Sequence, residues 1–205
     1  MKILQITDPH FVPPGVILHG LDPRARLDAC IADINEHHSD ADYCFVTGDL
    51  AHAGHVDAYE NLKDCLSKLT VPFHLLVGNH DKRDAMLSVF PDTPVNENGF
   101  VQSVVDTPAG RCILLDTVLL AAAKGEHWGE YCERRAVWLK ARLDEAAGRP
   151  VYLFMHHPPF DISLPCVDHI RLREAGPLAR VVGEATCIRH IFLGHVPRPV
   201  FGSWM

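Results

Sequence analysis

Nowhere does this 205-residue chain approach the run of about 18 apolar residues that a membrane span needs, which excludes a transmembrane helix. Disulfides are equally unsupported. The seven cysteines are odd in number and scattered, with no Cys-x-x-Cys pair, and they read as reduced thiols of a cytoplasmic protein. Cations are in deficit: 19 Lys and Arg face 26 Asp and Glu, a formal net charge of −7. That balance argues against a nucleic-acid polymer as partner. Met1 leads directly into Ile3-Leu4-Gln5-Ile6, with a single Lys and no small-residue cleavage site, so no signal peptide is expected. There is no Gly-x-Ser-x-Gly or reactive-cysteine signature, so no protein nucleophile presents itself. Internal repeats, low-complexity segments and linkers are also missing, and residues 1–205 are expected to form a single domain.

What the chain does have is histidine, 14 residues of it, in an otherwise globular composition of 47% hydrophobic and 22% charged residues. Histidine is the commonest metal ligand and the usual proton shuttle, so the positions of these residues matter more than their number.

Short, continuously apolar runs at Ile3–Ile6, Tyr43–Val46, Phe73–Val77, Ile113–Leu115 and Val151–Met155 read as buried strands, with a sixth at Ile188–Leu193. Helical spacing lies between them. Leu27, Cys30, Ile31 and Ile34 form one stripe, with Asp22 as N-cap and Pro23 at the first helical position. Leu62, Cys65, Leu66 and Leu69 form a second, with Asp57 and Glu60 resembling a capping box. Leu139, Leu143 and Ala147 mark a third, and Leu178, Val181 and Val182 a fourth. Alternating strands and helices predict an α/β fold with parallel pairing at its centre. Phe100–Val105 and Arg111–Leu115, joined by Pro108-Ala109-Gly110, read as two successive strands that make the sheet mixed.

The polar residues that carry chemistry follow the apolar runs. They are Thr7-Asp8-Pro9-His10, Thr47-Gly48-Asp49, Gly78-Asn79-His80-Asp81, His156-His157-Pro158-Pro159 and Gly194-His195. Each alone reads as an ordinary loop, turn or cap. Five together, each straight after a strand, place metal-competent side chains where open α/β sheets bind ligands. Carboxylate, imidazole and amide oxygen suit Zn²⁺, Mn²⁺ or Fe²⁺. The donors are too many for one ion, and two ions about 3.5–4 Å apart serve in-line displacement at phosphorus. Asp49 is the natural bridging carboxylate. A structural zinc site would favour cysteine, which this set lacks.

Asp8-x-His10, Gly48-Asp49, Gly78-Asn79-His80-Asp81, His156 and Gly194-His195 resemble the signature of the calcineurin-like metallophosphoesterases. Order and spacing are similar to the bacterial branch of cyclic-nucleotide phosphodiesterases and glycerophosphodiesterases, with Leu115-Asp116-Thr117 and the His156-His157-Pro158-Pro159 surroundings as further matches. The resemblance implies a four-layer α/β/β/α sandwich with mixed sheets, incomplete at its C-terminus. It implies Asp8 and His10 on a first metal, Asp49 bridging, and Asn79, His156 and His195 on a second. His80 would face the phosphate and Asp81 would orient His80. The activity implied is hydrolysis of a small-molecule phosphodiester by a metal-bound hydroxide, with two divalent ions (Mn²⁺, Fe²⁺ or Zn²⁺) as cofactors and homo-oligomerisation left open.

The last motif departs from the family's Gly-His-x-His: it reads Gly194-His195-Val196-Pro197. A weak first metal site, a sequence error, or a degenerate, non-catalytic relative that binds metal or a phosphorylated ligand are the competing explanations. Among the remaining histidines, His52 is a candidate for the substrate pocket, balanced against a solvated loop residue. His157 is expected to act behind the ligands or structurally. His127-Trp128 is expected to pack on the helix at 133–147, and Cys166, Asp168 and His169 are expected to be loop residues rather than a third metal site.

Overall fold

The computed structural model describes residues 1–123 and 125–203. The chain divides into two compact units, Met1–Thr93 and Pro94 onward.

The first unit holds β1 (Ile3–Ile6), α1 (Pro23–His37), β2 (Tyr43–Thr47), α2 (Val56–Leu66), β3 (Phe73–Leu76) and α3 (Arg83–Val89). Its sheet has the order β1-β2-β3 and is wholly parallel, with Ile6 beside Val46 and Thr47 beside Leu76. Parallel neighbours need a crossover, and α1 and α2 supply them. Cys44, Phe45 and Val46 of β2 are fully buried, as a central strand covered on both faces requires. Helix α1 buries Leu27, Ile31 and Ile34, while Cys30 of the same stripe is exposed. Its start follows the sequence: the Asp22 carboxylate accepts from the Arg24 and Ala25 amides at 2.9 and 3.3 Å. Removing that cap by Asp22→Ala is expected to cost about 1 kcal/mol. In a chain of this size that is about 2–4 °C in Tm, read by thermal circular dichroism.

The capping box at Asp57 does not form. His55 is the N-cap of α2, and it has no side-chain cap bond. The helix begins at Val56, so Asp57 already lies inside the first turn. There its carboxylate accepts from the neighbouring Ala58 amide at 2.9 Å, and its charge favours the helix N-terminus. Leu69 falls beyond the end of this helix.

The second unit holds β4 (Ser103–Thr107), β5 (Gly110–Leu115), α4 (Glu133–Glu145), β6 (Val151–Met155), α5 (Pro165–Asp168), α6 (Gly176–Glu184) and β7 (Ile188–Leu193). The sheet order is β4-β5-β6-β7. The β4–β5 pair is antiparallel and the other two pairs are parallel, so the mixed character belongs to this sheet. Trp138, Leu139 and Leu143 of α4 pack with Ile113, Leu115, Leu153 and Met155 of the strands and with Leu178 of α6. The five motif-bearing strand ends do not share one sheet edge: three belong to β1-β2-β3 and two to β6-β7. None of the described helices is long and apolar enough to cross a membrane.

Candidate active site

In the first unit, hydrogen bonding continues past the strand ends. Asp8 N donates to Gly48 O (3.1 Å), His10 N to Asp49 O (2.9 Å) and Phe11 N to Leu50 O (2.9 Å). This extension lays the segment after β1 along the segment after β2. It sets His10 Nε2 at 3.6 Å from Asp49 Oδ2 and 3.9 Å from Asp8 Oδ1. Asp49 is only 2% exposed. Its Oδ1 accepts from the His80 amide at 2.9 Å, which ties the segment after β3 to the same place. Asn79 is half-buried in the turn between Gly78 and His80. Gly78 is required there: a Cβ would lie 2.2 Å from Asp49 N and 2.3 Å from Asp49 Oδ1.

Backbone strain marks the same residues. Non-glycine residues with positive φ include Asp8 (55°), His10 (45°), Asp49 (50°) and His195 (65°). Such conformations cost about 1–3 kcal/mol each and persist where the surroundings over-determine them, characteristically at functional sites. Four of the six residues expected to bind metal are held this way.

His52 is no stray loop residue. Its Nδ1 lies 3.5 Å from His10 Nδ1, and its ring stacks on His80 with centroids 5.0 Å apart. The His52 carbonyl is 2.6 Å from His80 Nδ1. A carbonyl only accepts, so Nδ1 carries the His80 proton and Nε2 is the ring's other polar atom. Burial, with the neighbouring His80, His10 and His19 imidazoles, holds His52 below the usual histidine range.

Asp81 does not orient the His80 ring. Its buried carboxylate is occupied by four other donors: the amides of Leu50 (3.0 Å), Ala51 (2.9 Å) and Gly78 (2.8 Å), and the Tyr59 hydroxyl (2.9 Å). It therefore clamps the loops that carry Asp49 and Asn79. Burial and the charge of Asp49 push its carboxyl up to about 6, against the lowering effect of the amide donors.

In the second unit, β6 runs into His156 and His157, both fully buried. Gly194 N donates to His156 O at 3.0 Å, which brings the end of β7 alongside. His195 Nδ1 then stands 3.3 Å from His156 Nε2. Two nitrogens bound at about 2.0–2.1 Å to one tetrahedral ion would be about 3.4 Å apart, so this pair fits a shared cation. His157 lies beside both, with ring centroids 5.0 Å from His156 and 4.9 Å from His195. Its own nitrogens face Thr117 Oγ1 (2.8 Å) and the His127 carbonyl (3.1 Å).

Leu115-Asp116-Thr117 is a structural hub. The buried Asp116 carboxylate accepts from Val101 N (3.0 Å) and Val118 N (2.9 Å) and lies 3.9 Å from Arg135. Arg135 is fully buried. It donates to Val118 O and Glu130 Oε2 and stacks over Phe100, 4.0 Å from the ring centroid. Sequence reading passed over this cation, although Arg135 precedes Leu139 and Leu143 at helical spacing on the buried face of α4. The Arg173 guanidinium lies over the Trp128 ring, 3.2 Å from its centroid. Asp168 caps its own loop through Ile162 N and Leu164 N, and His169 bonds to Pro165 O, so both have local roles and Cys166 is simply exposed.

The donors are thus nitrogen and oxygen throughout, without cysteine, a set that suits divalent metal ions. Residues 1–199 match the family model described as calcineurin-like phosphoesterase. The chain is 44% identical over 205 residues to a protein of Rhodopseudomonas palustris described as a "probable cyclic nucleotide phosphodiesterase", covering all of this chain and 74% of that protein. It is 29% identical over 207 residues to a protein of Arcobacter nitrofigilis described as a "probable glycerophosphodiester phosphodiesterase", again covering 100% of this chain and 74% of the other. Among solved structures, the fold is similar to a dimetal phosphatase from Danio rerio, with a TM-score of 0.74 at 15% identity over 94% of this chain and 80% of that one. Motifs, fold and a match over nearly the whole sequence agree: the chain belongs to the calcineurin-like phosphoesterases, a family of hydrolases that depend on divalent metal ions.

Proposed function

We propose that this protein hydrolyses small phosphodiesters, of the cyclic-nucleotide or glycerophosphodiester class, with a pair of divalent ions as cofactor. Mn²⁺, Fe²⁺ and Zn²⁺ suit the donors. In this reading Asp8, His10, Asp49 and Asn79 of the first unit are metal ligands, and so are His156 and His195 of the second. The observation that carries it is that nitrogen and oxygen donors follow five strand ends, and that four of these donor residues, Asp8, His10, Asp49 and His195, sit on positive-φ backbone. The descriptions of the R. palustris and A. nitrofigilis relatives support the substrate class. Seven unpaired cysteines support a cytoplasmic setting.

When bound, such ions lower the pKa of water toward about 7 and neutralise charge on phosphoryl oxygens. The chain's own groups do the rest. Asp49, seated against Gly78 and the His80 amide, holds a fixed negative charge at the centre. His80, with Nδ1–H donated to the His52 carbonyl, keeps Nε2 as its second polar atom, which donates to a phosphoryl or leaving-group oxygen only when that nitrogen also carries a proton. His52, stacked on His80, lines the same cluster and fixes that ring's tilt.

The test is the initial rate of bis(p-nitrophenyl) phosphate hydrolysis against added Mn²⁺, with Asn79→Ala as control. A saturable, metal-dependent rate that Asn79→Ala removes is the expected result. Folded protein with no rate above that variant at saturating metal would favour the second reading, a non-catalytic metal- or phosphate-binding relative. Pro197, which has no donor where the family signature places a histidine, is the observation behind that reading.

A further inference from the structure

His156, His157 and His195 bring ligand atoms within 4.8 Å of one another, and distance alone would make them a three-histidine metal site. We propose instead that His157 is a positioning residue, locked in one tautomer and unable to ligate, whose ring holds the His156–His195 pair at ligating separation. This rests on the reading of those two histidines as ligands.

The proton assignment follows from the partners. The His127 carbonyl can only accept, so the nitrogen 3.1 Å away, Nε2, must carry hydrogen. A neutral imidazole has one N–H, which leaves Nδ1 as acceptor for the Thr117 hydroxyl at 2.8 Å. Both nitrogens are therefore committed. Ligation by His157 would take a ring nitrogen away from the His127 carbonyl or from the buried Thr117 hydroxyl.

The seat is built from three segments. Gly129 backs the ring so closely that a Cβ there would lie 2.6 Å from His157 Cγ and 2.7 Å from Nδ1. Gly129 is itself pinned: its amide donates to Arg171 O (3.2 Å) and its carbonyl accepts from Arg173 N (2.9 Å). The Thr117 carbonyl accepts from Glu130 N at 2.8 Å, so one residue fixes both the ring and the segment behind it. On the other side the ring abuts His195, whose backbone sits at φ 65°. A strained residue keeps its place only where its neighbours leave it no relaxation, and the His157 ring is such a neighbour.

The experiment uses the full chain with Zn²⁺. Imidazole ¹⁵N spectra of the wild type are expected to show His157 as the Nε2–H tautomer both without metal and with saturating Zn²⁺, while His156 and His195 shift on binding. Chelator-competition affinities give the second readout. Thr117→Val, which keeps the volume but loses the hydroxyl, is expected to weaken Zn²⁺ binding about 10–100-fold, the usual effect of removing a partner that orients a ligand. Thr117→Ser restores the hydroxyl and is expected to bind as the wild type does. A His157 nitrogen that shifts on Zn²⁺ binding, or wild-type affinity in Thr117→Val, overturns the proposal. His195→Ala separates the premises. If it binds as tightly as the wild type, the ligand reading itself fails. If it loses binding while Thr117→Val keeps it, only the role of His157 fails. The spectra decide the matter even if Thr117→Val does not fold.

Discussion

Asp49→Asn is expected to lose about 10²–10³-fold or more in Mn²⁺-dependent phosphodiester hydrolysis, while the metal-free variant melts at a higher temperature than the metal-free wild type. The two effects have one cause. Asp49 is a nearly buried carboxylate whose charge pushes the neighbouring buried Asp81 upward, a like-charge contact that costs stability. Asparagine keeps the oxygen that accepts from the His80 amide, removes the charge and puts an NH2 group in place of the oxygen that faces His10. Each kcal/mol released is worth about 2–4 °C in Tm for a chain of this size. Saturating Mn²⁺ reverses the order, because a ligand at 100 times its Kd stabilises the native wild type by about 2.7 kcal/mol and the variant has lost that binding. Scanning calorimetry with and without Mn²⁺ reads both. Equal metal-induced shifts in the two proteins would remove Asp49 from the ligand set.

Asp81→Ala is expected to be the most damaging single change to the fold of the first unit. It leaves three backbone amides and the Tyr59 hydroxyl without an acceptor in a buried place. Each such donor costs about 1–3 kcal/mol, softened where water enters the space left by the side chain. A net loss of about 4 kcal/mol, or about 8–16 °C in Tm, is the expected result. Asp81→Asn keeps one accepting oxygen but turns an N–H donor toward amides that also donate, so it should fall between the wild type and alanine. A loss below about 1 kcal/mol in Asp81→Ala would show that the Asp49 and Asn79 loops hold themselves in place.

Much of this architecture is legible in the sequence because it is local. Ile3–Ile6, Val151–Met155 and Ile188–Leu193 are strands with the bounds their apolar runs suggest. Asp22 and Pro23 announce α1, and the chemistry-bearing residues stand immediately after the strands. What the sequence withholds depends on long-range pairing. The β4–β5 hairpin begins a second sheet, so the five strand ends divide three and two. Helix α3 has seven residues, too few for an apolar stripe to repeat. The loop after β2 folds back on Asp81 rather than leaving it for His80, and only the fold brings those four donors together. Positive φ at Asp8, His10, Asp49 and His195 is only weakly signalled, since aspartate and histidine tolerate it better than most side chains but far less readily than glycine. The roles of Arg135 and His157 come from partners remote in sequence, such as Asp116, Thr117 and the His127 carbonyl.

These residues are proposed to hold two divalent ions. Anomalous diffraction at the manganese edge, from crystals grown with Mn²⁺, tests it most directly. The expected map has two peaks, one bounded by Asp8, His10 and Asp49 and the other by His156 Nε2 and His195 Nδ1, with none on the nitrogens of His157. A map with no peak at either place, or one centred on His157, would show that these residues are not the metal ligands.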